Sequence, residues 1–142
     1  MTRPQHTSRV KRAPATRSMR GCEIKRIYAP HTATDGYRVL VDRLWPRGIS
    51  KQRAALDAWL AELAPSTALR TWLHRDPSRW HEFARRYRAE LRTQRPVLQE
   101  LRQRARRQRV TLLYAARDPT ANNAVVLREV LRRRPVFREL CG

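Results

Sequence analysis

The chain has 142 residues, which is long enough for one folded domain with a buried core. Apolar residues make up 41% of it and charged residues 31%, a globular composition with a highly charged surface. No run approaches the roughly 18 consecutive apolar residues that a membrane span needs, so we expect no membrane partner.

The formal net charge is +20, and it is unevenly distributed. Residues 1–20 carry six basic and no acidic side chains, which leaves +14 on the rest of the chain. Only three of the 32 basic residues are lysines. One interpretation is binding to nucleic acid through phosphate neutralisation. The other is an ordinary surface that arginine-rich coding has made basic.

Residues 1–20 are rich in proline, basic and small polar residues, and they lack the large apolar side chains needed to offset ordering entropy. We predict a disordered tail in front of a single domain over residues 21–142. The tail lacks the apolar core of a secretory signal, so we expect a cytoplasmic protein. There the two cysteines, Cys22 and Cys141, should stay reduced, and neither has metal-site spacing.

In the first half of the chain, short β-type runs at 24–28 and 37–41 predict two strands. Trp45-Pro46-Arg47-Gly48 then predicts a loop, because proline and glycine interrupt a strand. Apolar spacing predicts a helix from about Lys51 through Leu63, and Ser66 is placed to cap another.

In the second half, Asp76-Pro77 predicts the start of a helix whose apolar stripe includes Trp80, Phe83 and Tyr87. Further predicted elements are a helix from Pro96, a strand over 110–114, a last helix from Asp118-Pro119 to Pro135, and a short edge strand at 136–137. Strands separated by helices predict an α/β fold: a small, mostly parallel sheet covered by helices.

Polar clusters follow two of the predicted strands. One covers residues 42–48, and the other runs from Tyr114 to Asp118 and on to Asn122 and Asn123. Ligands of open α/β sheets bind beyond the carboxyl ends of the strands. If the two strands are neighbours, both clusters open on one crevice.

The chemistry of that crevice favours an anion. A helix N-terminus offers free backbone donors, and Arg43, Arg47 and Arg117 add forked donors suited to phosphate or carboxylate. Asp42 and Asp118 would accept from ligand hydroxyls, act as bases, or orient the arginines. The structural alternative is that Asp118 caps a helix and that Asp42 pairs locally with Arg43.

A third cluster, Ser66, Arg70 and His74, recurs at helical spacing and therefore lies on one face, either in the crevice or in solvent. His74 is the histidine best suited to proton transfer. The candidate ligand-binding residues are Arg43, Trp45, Arg47, Ser66, Arg70, Tyr114, Arg117, Asn122 and Asn123. The candidate catalytic groups are His74, Asp42 and Asp118. No metal or cofactor motif is present.

Three stretches, DGYRVLVDRLWPRGISK (35–51), LAPSTALRTWLHRDPSRWHEFARRYRAEL (63–91) and VTLLYAARDPTANNAVVLREVL (110–131), resemble the YeaO-like branch of the domain of unknown function 488 family. The resemblance implies a small bacterial or archaeal protein and no particular reaction. Its characteristic positions include Asp42, Arg43 and Arg47. More distant branches carry a Cys-His-Arg-like element where this chain has Asn122-Asn123-Ala124, so we do not expect thiol chemistry.

The sequence therefore predicts a cytoplasmic protein that binds a small phosphate- or carboxylate-bearing ligand, with catalysis left open. One alternative is a nucleic-acid-associated accessory protein that uses the tail and the arginine-rich helices over 79–109. The other is an interaction module without catalysis.

Overall fold

Four parallel strands form the centre of the computed structural model, which describes residues 20–133. They are β1 (Gly21–Arg26), β2 (Tyr37–Leu40), β3 (Ala58–Trp59) and β4 (Arg109–Tyr114). Their order across the sheet is β1-β4-β2-β3, and every pairing is parallel. The predicted α/β class with a small parallel sheet is confirmed. The strand order makes β2 and β4 direct neighbours.

Five helices surround this sheet within the described residues: α1 (Lys51–Ala54), α2 (Thr67–Arg75), α3 (Trp80–Leu91), α4 (Arg95–Ala105) and α5 (Asn123–Arg132). Side-chain oxygens cap three of them, because the first backbone donors of a helix lack partners within it. These caps are Ser50, Ser66 and Asn122. No helix in residues 20–133 combines the length and apolarity required to cross a bilayer.

The two central strands are buried on both faces, which explains their uncharged, apolar runs. Val39 and Leu112 point to the larger face and pack with apolar side chains of α2, α3, α4 and α5. Leu40 and Leu113 point to the smaller face and pack with Ile27, Ile49 and Ala54. All four central residues are fully buried. Their burial holds β2 and β4 rigidly in register.

A buried charge on the smaller face has no signature in the sequence. Arg38 lies on β2 and is 1% exposed. Its Nη1 is paired with Asp35, and its Nη2 donates to the carbonyl oxygen of Ala54 at 2.7 Å. Lys25 on β1 also donates to Asp35, at 3.0 Å. This network joins β1, β2 and the end of α1.

The predicted helix over 51–63 is wrong. The helix ends at Ala54, and Ala55 adopts a left-handed conformation with φ 48°. Backbone hydrogen bonds then pair the chain with β2: Asp57 N donates to Arg38 O at 2.8 Å, and Leu60 N donates to Leu40 O at 2.9 Å. Strand pairing thus overrides the helical spacing of Leu56 to Leu63.

Two element boundaries also differ from prediction. Strand β1 begins at Gly21 rather than near Ile24, and Ile27 N continues its pairing by donating to Tyr114 O at 2.7 Å. Helix α5 begins at Asn123 rather than at Asp118, whose carboxylate instead accepts from Thr120 N at 2.8 Å. The predicted helix end at Pro135 and the edge strand at 136–137 lie outside the described residues.

Candidate functional site

A crevice of about 430 Å³ lies beyond the carboxyl ends of β2 and β4. The loop after β2 forms one side, α2 and the start of α3 form a second, and the β4–α5 loop with the start of α5 forms a third. This is the edge at which open α/β sheets place their ligands.

Asp42, two residues beyond β2, lies at the centre of the crevice and ties its sides together. Its Oδ2 accepts from the backbone N–H of Ala115 at 2.9 Å, and its Oδ1 accepts from Nδ2 of Asn123 at 3.2 Å. Asn123 also donates to Val41 O at 2.9 Å. Burial raises the pKa of Asp42, while these two hydrogen bonds and the charge of Arg70 act in the opposite direction.

Three arginines and one histidine line the same crevice: Arg43, Arg47, Arg70 and His74. Arg43 donates to the carbonyl oxygens of Ala64 at 3.2 Å and Pro65 at 3.3 Å, which fixes its guanidinium against the start of α2. Among residues 20–133, the guanidinium groups of Arg47 and Arg70 form neither a hydrogen bond nor an ion pair. Their donors are therefore available to a ligand.

The N-terminus of α5 opens on this crevice through Ala121, Asn122 and Asn123. Asn122 is buried; its Oδ1 accepts from Val125 N at 3.0 Å and its Nδ2 donates to Asp118 O at 2.9 Å. This cap fixes the direction of the helix, so the positive end of its dipole faces the cavity.

Apolar side chains complete the walls. Trp80 and Phe83 on α3 stack with centroids 5.3 Å apart, and Leu73 on α2 lies beside them. Trp45 also lines the crevice, and its indole Nε1 donates to Ile49 O at 2.7 Å. Tyr28 is a further lining residue and donates its hydroxyl to Arg47 O at 2.7 Å. Cationic and aromatic groups thus share one cavity.

The structure brings together eight of the twelve candidate residues: Asp42, Arg43, Trp45, Arg47, Arg70, His74, Asn122 and Asn123 line the crevice. The other four, Ser66, Tyr114, Arg117 and Asp118, do not.

These four residues have identifiable environments. Ser66 caps α2, and its hydroxyl donates to Glu90 at 2.6 Å beside a smaller cavity. Tyr114 is buried in the core of the sheet. Arg117 and Asp118 are exposed on the β4–α5 loop, and hydrogen bonds from Thr120 and Ala121 lower the pKa of Asp118.

Residues 21–138 match the model of a protein family described as the inactive DUF488-N3 subclade. The chain belongs to this family. It is 46% identical over 110 residues to the uncharacterized protein YeaO of Escherichia coli (strain K12), which covers 78% of this chain and 96% of YeaO. It is 41% identical over 111 residues to the uncharacterized protein Rv3073c of Mycobacterium tuberculosis (strain ATCC 25618 / H37Rv), covering 78% and 93%. No solved structure gives a significant match.

Of the four aromatic residues in this DUF488-N3 crevice, sequence reasoning predicted Trp45 and missed Tyr28, Trp80 and Phe83. Trp80 and Phe83 were expected only in the core stripe of α3, and they do pack against the core. Trp80 is nevertheless only half-buried, and it also lines the cavity. Tyr28 was expected only within a strand. Nothing in the spacing of these residues indicates that they meet Arg43 and Arg47.

No serine, threonine, cysteine or lysine lines the crevice within the described part of this family member. Cys22 is buried on β1, away from the crevice, where burial raises the pKa of its thiol to about 12. Across residues 20–133, no group of three or more histidine, cysteine or acidic side chains is arranged to hold a metal ion.

Many arginines outside the crevice have structural partners. The guanidinium groups of Arg86 and Arg79 lie 4.3 and 4.8 Å from the ring centroid of Trp72. Arg104 lies 3.9 Å from that of Tyr37, and Arg85 pairs with Glu82. Part of the positive charge on α3 and α4 therefore stabilises the fold through cation–π contacts and ion pairs.

Proposed function

We propose that this protein binds a small ligand through a phosphate or carboxylate group in the crevice and does not transform it. The observation that carries the proposal is the charge of the walls. Arg43, Arg47 and Arg70 surround a cavity in which Asp42 is the one acidic side chain among the described residues. An anion would offset this excess of positive charge, and guanidinium donors match the geometry of carboxylate and phosphate oxygens.

Binding without turnover is supported by the state of the reactive groups. Both oxygens of Asp42 accept hydrogen bonds, from Ala115 and Asn123, so the carboxylate has a structural role in positioning the walls. Among residues 20–133, the crevice has no serine, threonine, cysteine or lysine nucleophile. The family description, an inactive subclade, agrees with this proposal.

The experiment compares two arginines of the same helix. Arg70 lines the crevice, whereas Arg75, at the end of α2, is exposed and does not line it. We expect calorimetric titration with a panel of phosphorylated and carboxylated metabolites to give at least one ligand. Arg70→Ala should weaken its binding by roughly tenfold or more, since a hydrogen bond to a charged group contributes about 1.5–3 kcal/mol.

The control variant Arg75→Ala should bind that ligand with unchanged affinity. Both variants should keep the wild-type circular dichroism spectrum. Equal losses of affinity in the two variants would show that anion binding depends on the overall charge of the protein rather than on the crevice. A panel without any binder would remove the proposal. A cytoplasmic location belongs to the same proposal, and cell fractionation tests it.

Nucleic-acid association is a second proposal, favoured by the net charge of +20. Its contacts would be the tail and the arginines along and just after α3 and α4 that have no side-chain partner among residues 20–133, such as the exposed Arg92 and Arg106. The aromatic rings near these helices already make cation–π contacts with arginines or pack in the core. They are therefore not free as stacking platforms for bases, and any binding would depend on backbone phosphates.

A further inference from the structure

We infer that the ligand of the crevice carries a planar aromatic ring in addition to its anionic group. The inference rests on the proposed function and names the class of ligand for the same site. It follows from three properties of the cavity: its size, the aromatic surface that faces it, and the placement of the free guanidinium groups.

The cavity is too large for a bare anion. Its volume is about 430 Å³, whereas a phosphate or acetate ion fills the space of only a few water molecules of about 30 Å³ each. Cavities of this size hold small organic ligands. The ligand that fills it therefore has a body attached to the anionic group.

Four aromatic side chains are among the residues that line the cavity: Tyr28, Trp45, Trp80 and Phe83. Trp80 and Phe83 stack at an interplanar angle of 25°, so the half-buried Trp80 is supported by a second, buried ring. Trp45 contacts Trp59 edge to face at 5.5 Å and 71°, which holds its ring in place. A pair of aromatic rings contributes more binding free energy than the burial of its apolar area alone.

The polar groups in the crevice fit the same ligand. The guanidinium groups of Arg47 and Arg70 are unpartnered in the described part of the chain, and a guanidinium stacks on aromatic rings as well as binding anions. A planar aromatic body can stack on a guanidinium or on a tryptophan ring, and a saturated body cannot stack in this way.

The test compares ligands that differ only in aromaticity. Phenyl phosphate and cyclohexyl phosphate have the same charge and carbon count, as do benzoate and cyclohexanecarboxylate. Calorimetric titration of the full-length protein should give about two- to tenfold tighter binding for the aromatic member of at least one pair. The two pairs also show whether phosphate or carboxylate is the preferred anion.

A pair of tryptophan variants locates the effect. Trp80→Leu keeps an apolar wall but removes the ring, so the aromatic preference should disappear. Trp72→Leu is the control, because Trp72 lies on α2 outside the crevice, and it should retain the preference. Equal affinities within both pairs for the wild-type protein would overturn the inference and leave anion binding intact. Failure of all four compounds to bind would overturn both proposals. The wild-type comparison decides the ligand class even if Trp80→Leu does not fold.

Discussion

Asp42 and Asp35 are carboxylates at opposite ends of β2, and their surroundings shift their pKa values in opposite directions. Asp42 is partly buried, and desolvation raises its pKa despite two hydrogen bonds and the nearby Arg70. Burial also raises the pKa of Asp35, but hydrogen bonds from Thr32, Lys25 and Arg38 outweigh it and lower that pKa to about 2. The first residue belongs to the crevice, and the second stabilises the fold.

Asp42 makes anion binding dependent on pH. Ionised Asp42 repels an anion, so affinity should rise as the pH falls through its raised pKa. The charged or titratable groups facing it are Arg43, Arg70 and Tyr87. His74 lines the same crevice, so the contribution of Asp42 is measured in a His74→Gln background. A sulfonate ligand, whose own charge stays constant, isolates the protein groups.

In the His74→Gln variant, affinity should still rise as the pH falls from 7.5 to 4. The double variant His74→Gln/Asp42→Asn should lose this pH dependence. An unchanged slope in the double variant would show that neither residue controls the affinity. Thermal unfolding of each variant checks that the loss of one hydrogen bond at Asp42 leaves the fold in place.

Asp35→Asn should destabilise the protein by about 3–5 kcal/mol, because it leaves the fully buried Arg38 without its ion-pair partner. The folded-state pKa of Asp35 lies below its ordinary value of 3.8. Its contribution is therefore present above about pH 4 and is lost as the pH falls towards 2. Urea unfolding between pH 2 and 7 measures both effects.

Glu23→Gln is the matched control for Asp35→Asn. Glu23 pairs with Arg132 at 3.0 Å on the surface, where an ion pair contributes less than about 1 kcal/mol. A loss of similar size in the two variants would contradict the assignment of Asp35 as the anchor of a buried network.

At the level of elements, the central strands follow directly from the sequence, and the segment after α1 does not. Strand β4 is a run of apolar residues because it is covered on both faces, and such a continuous apolar run is easily recognised in a sequence. Strand β3 has two residues and is held by hydrogen bonds to β2. Pairing of this kind depends on a distant partner, so local spacing over 56–63 indicates a helix instead.

The start of α5 shows a second limit of local patterns. Asp118 and Asn122 are both residue types that cap helices. The sequence alone does not rank them. Asn122 is the cap because its Oδ1 reaches Val125 N, whereas Asp118 holds a turn in the preceding loop. The first turn of α5, which lines the crevice, therefore begins later in the chain than predicted.

Gly36 lies just before β2, and a substitution there tests how closely this turn approaches Arg109 at the start of β4. It adopts φ +66°, and a Cβ at this position would overlap the carbonyl oxygen of Arg109. We expect Gly36→Ala to lower the free energy of unfolding by at least about 2 kcal/mol, from backbone strain and overpacking together. Chemical denaturation measures this loss.

Gly48→Ala separates the two causes. Gly48 also has a positive φ, +76°, but a Cβ there would meet no atom within 4 Å. Gly48→Ala should therefore lower the free energy of unfolding by only about 1 kcal/mol, from backbone strain alone. Equal losses at the two glycines would contradict the close approach of the turn before β2 to Arg109.

At the scale of the whole molecule, the crevice could be predicted in part. The two polar clusters follow strands, and parallel neighbours bring their carboxyl ends together, so Asp42, Arg43 and Asn123 were expected to meet. Trp45 was also expected there, but the rest of the aromatic wall could not be predicted, because Tyr28 and Trp80 come from separate segments. Each fits a local pattern, a strand for Tyr28 and the core stripe of a helix for Trp80. Only the tertiary fold shows that both also line a cavity.

The net charge of +20 gives a prediction that concerns the entire chain. The described core clusters are formed by residues between Cys22 and Leu131, so we propose that residues 21–142 fold as one unit without the tail. Deletion of residues 1–20 should leave the melting temperature unchanged. If the tail binds nucleic acid, the same deletion should reduce both affinity and its dependence on salt, since fewer phosphates are neutralised.

Fluorescence anisotropy with a short duplex between 50 and 300 mM salt measures this effect. An identical salt slope for the full-length and shortened proteins would assign any nucleic-acid binding to the arginines of α3 and α4. A lower melting temperature for the shortened protein would contradict the proposed independence of residues 21–142.

The most direct test of anion binding is to locate an anion by anomalous diffraction, using crystals soaked in selenate, a phosphate analogue with a strong anomalous signal. We predict a selenium peak within hydrogen-bond distance of the guanidinium group of Arg70, near the first turn of α5. The peak should be absent from Arg70→Ala crystals soaked in the same way. Selenium peaks confined to the outer arginines of α3 and α4, with the crevice filled by water alone, would contradict the account.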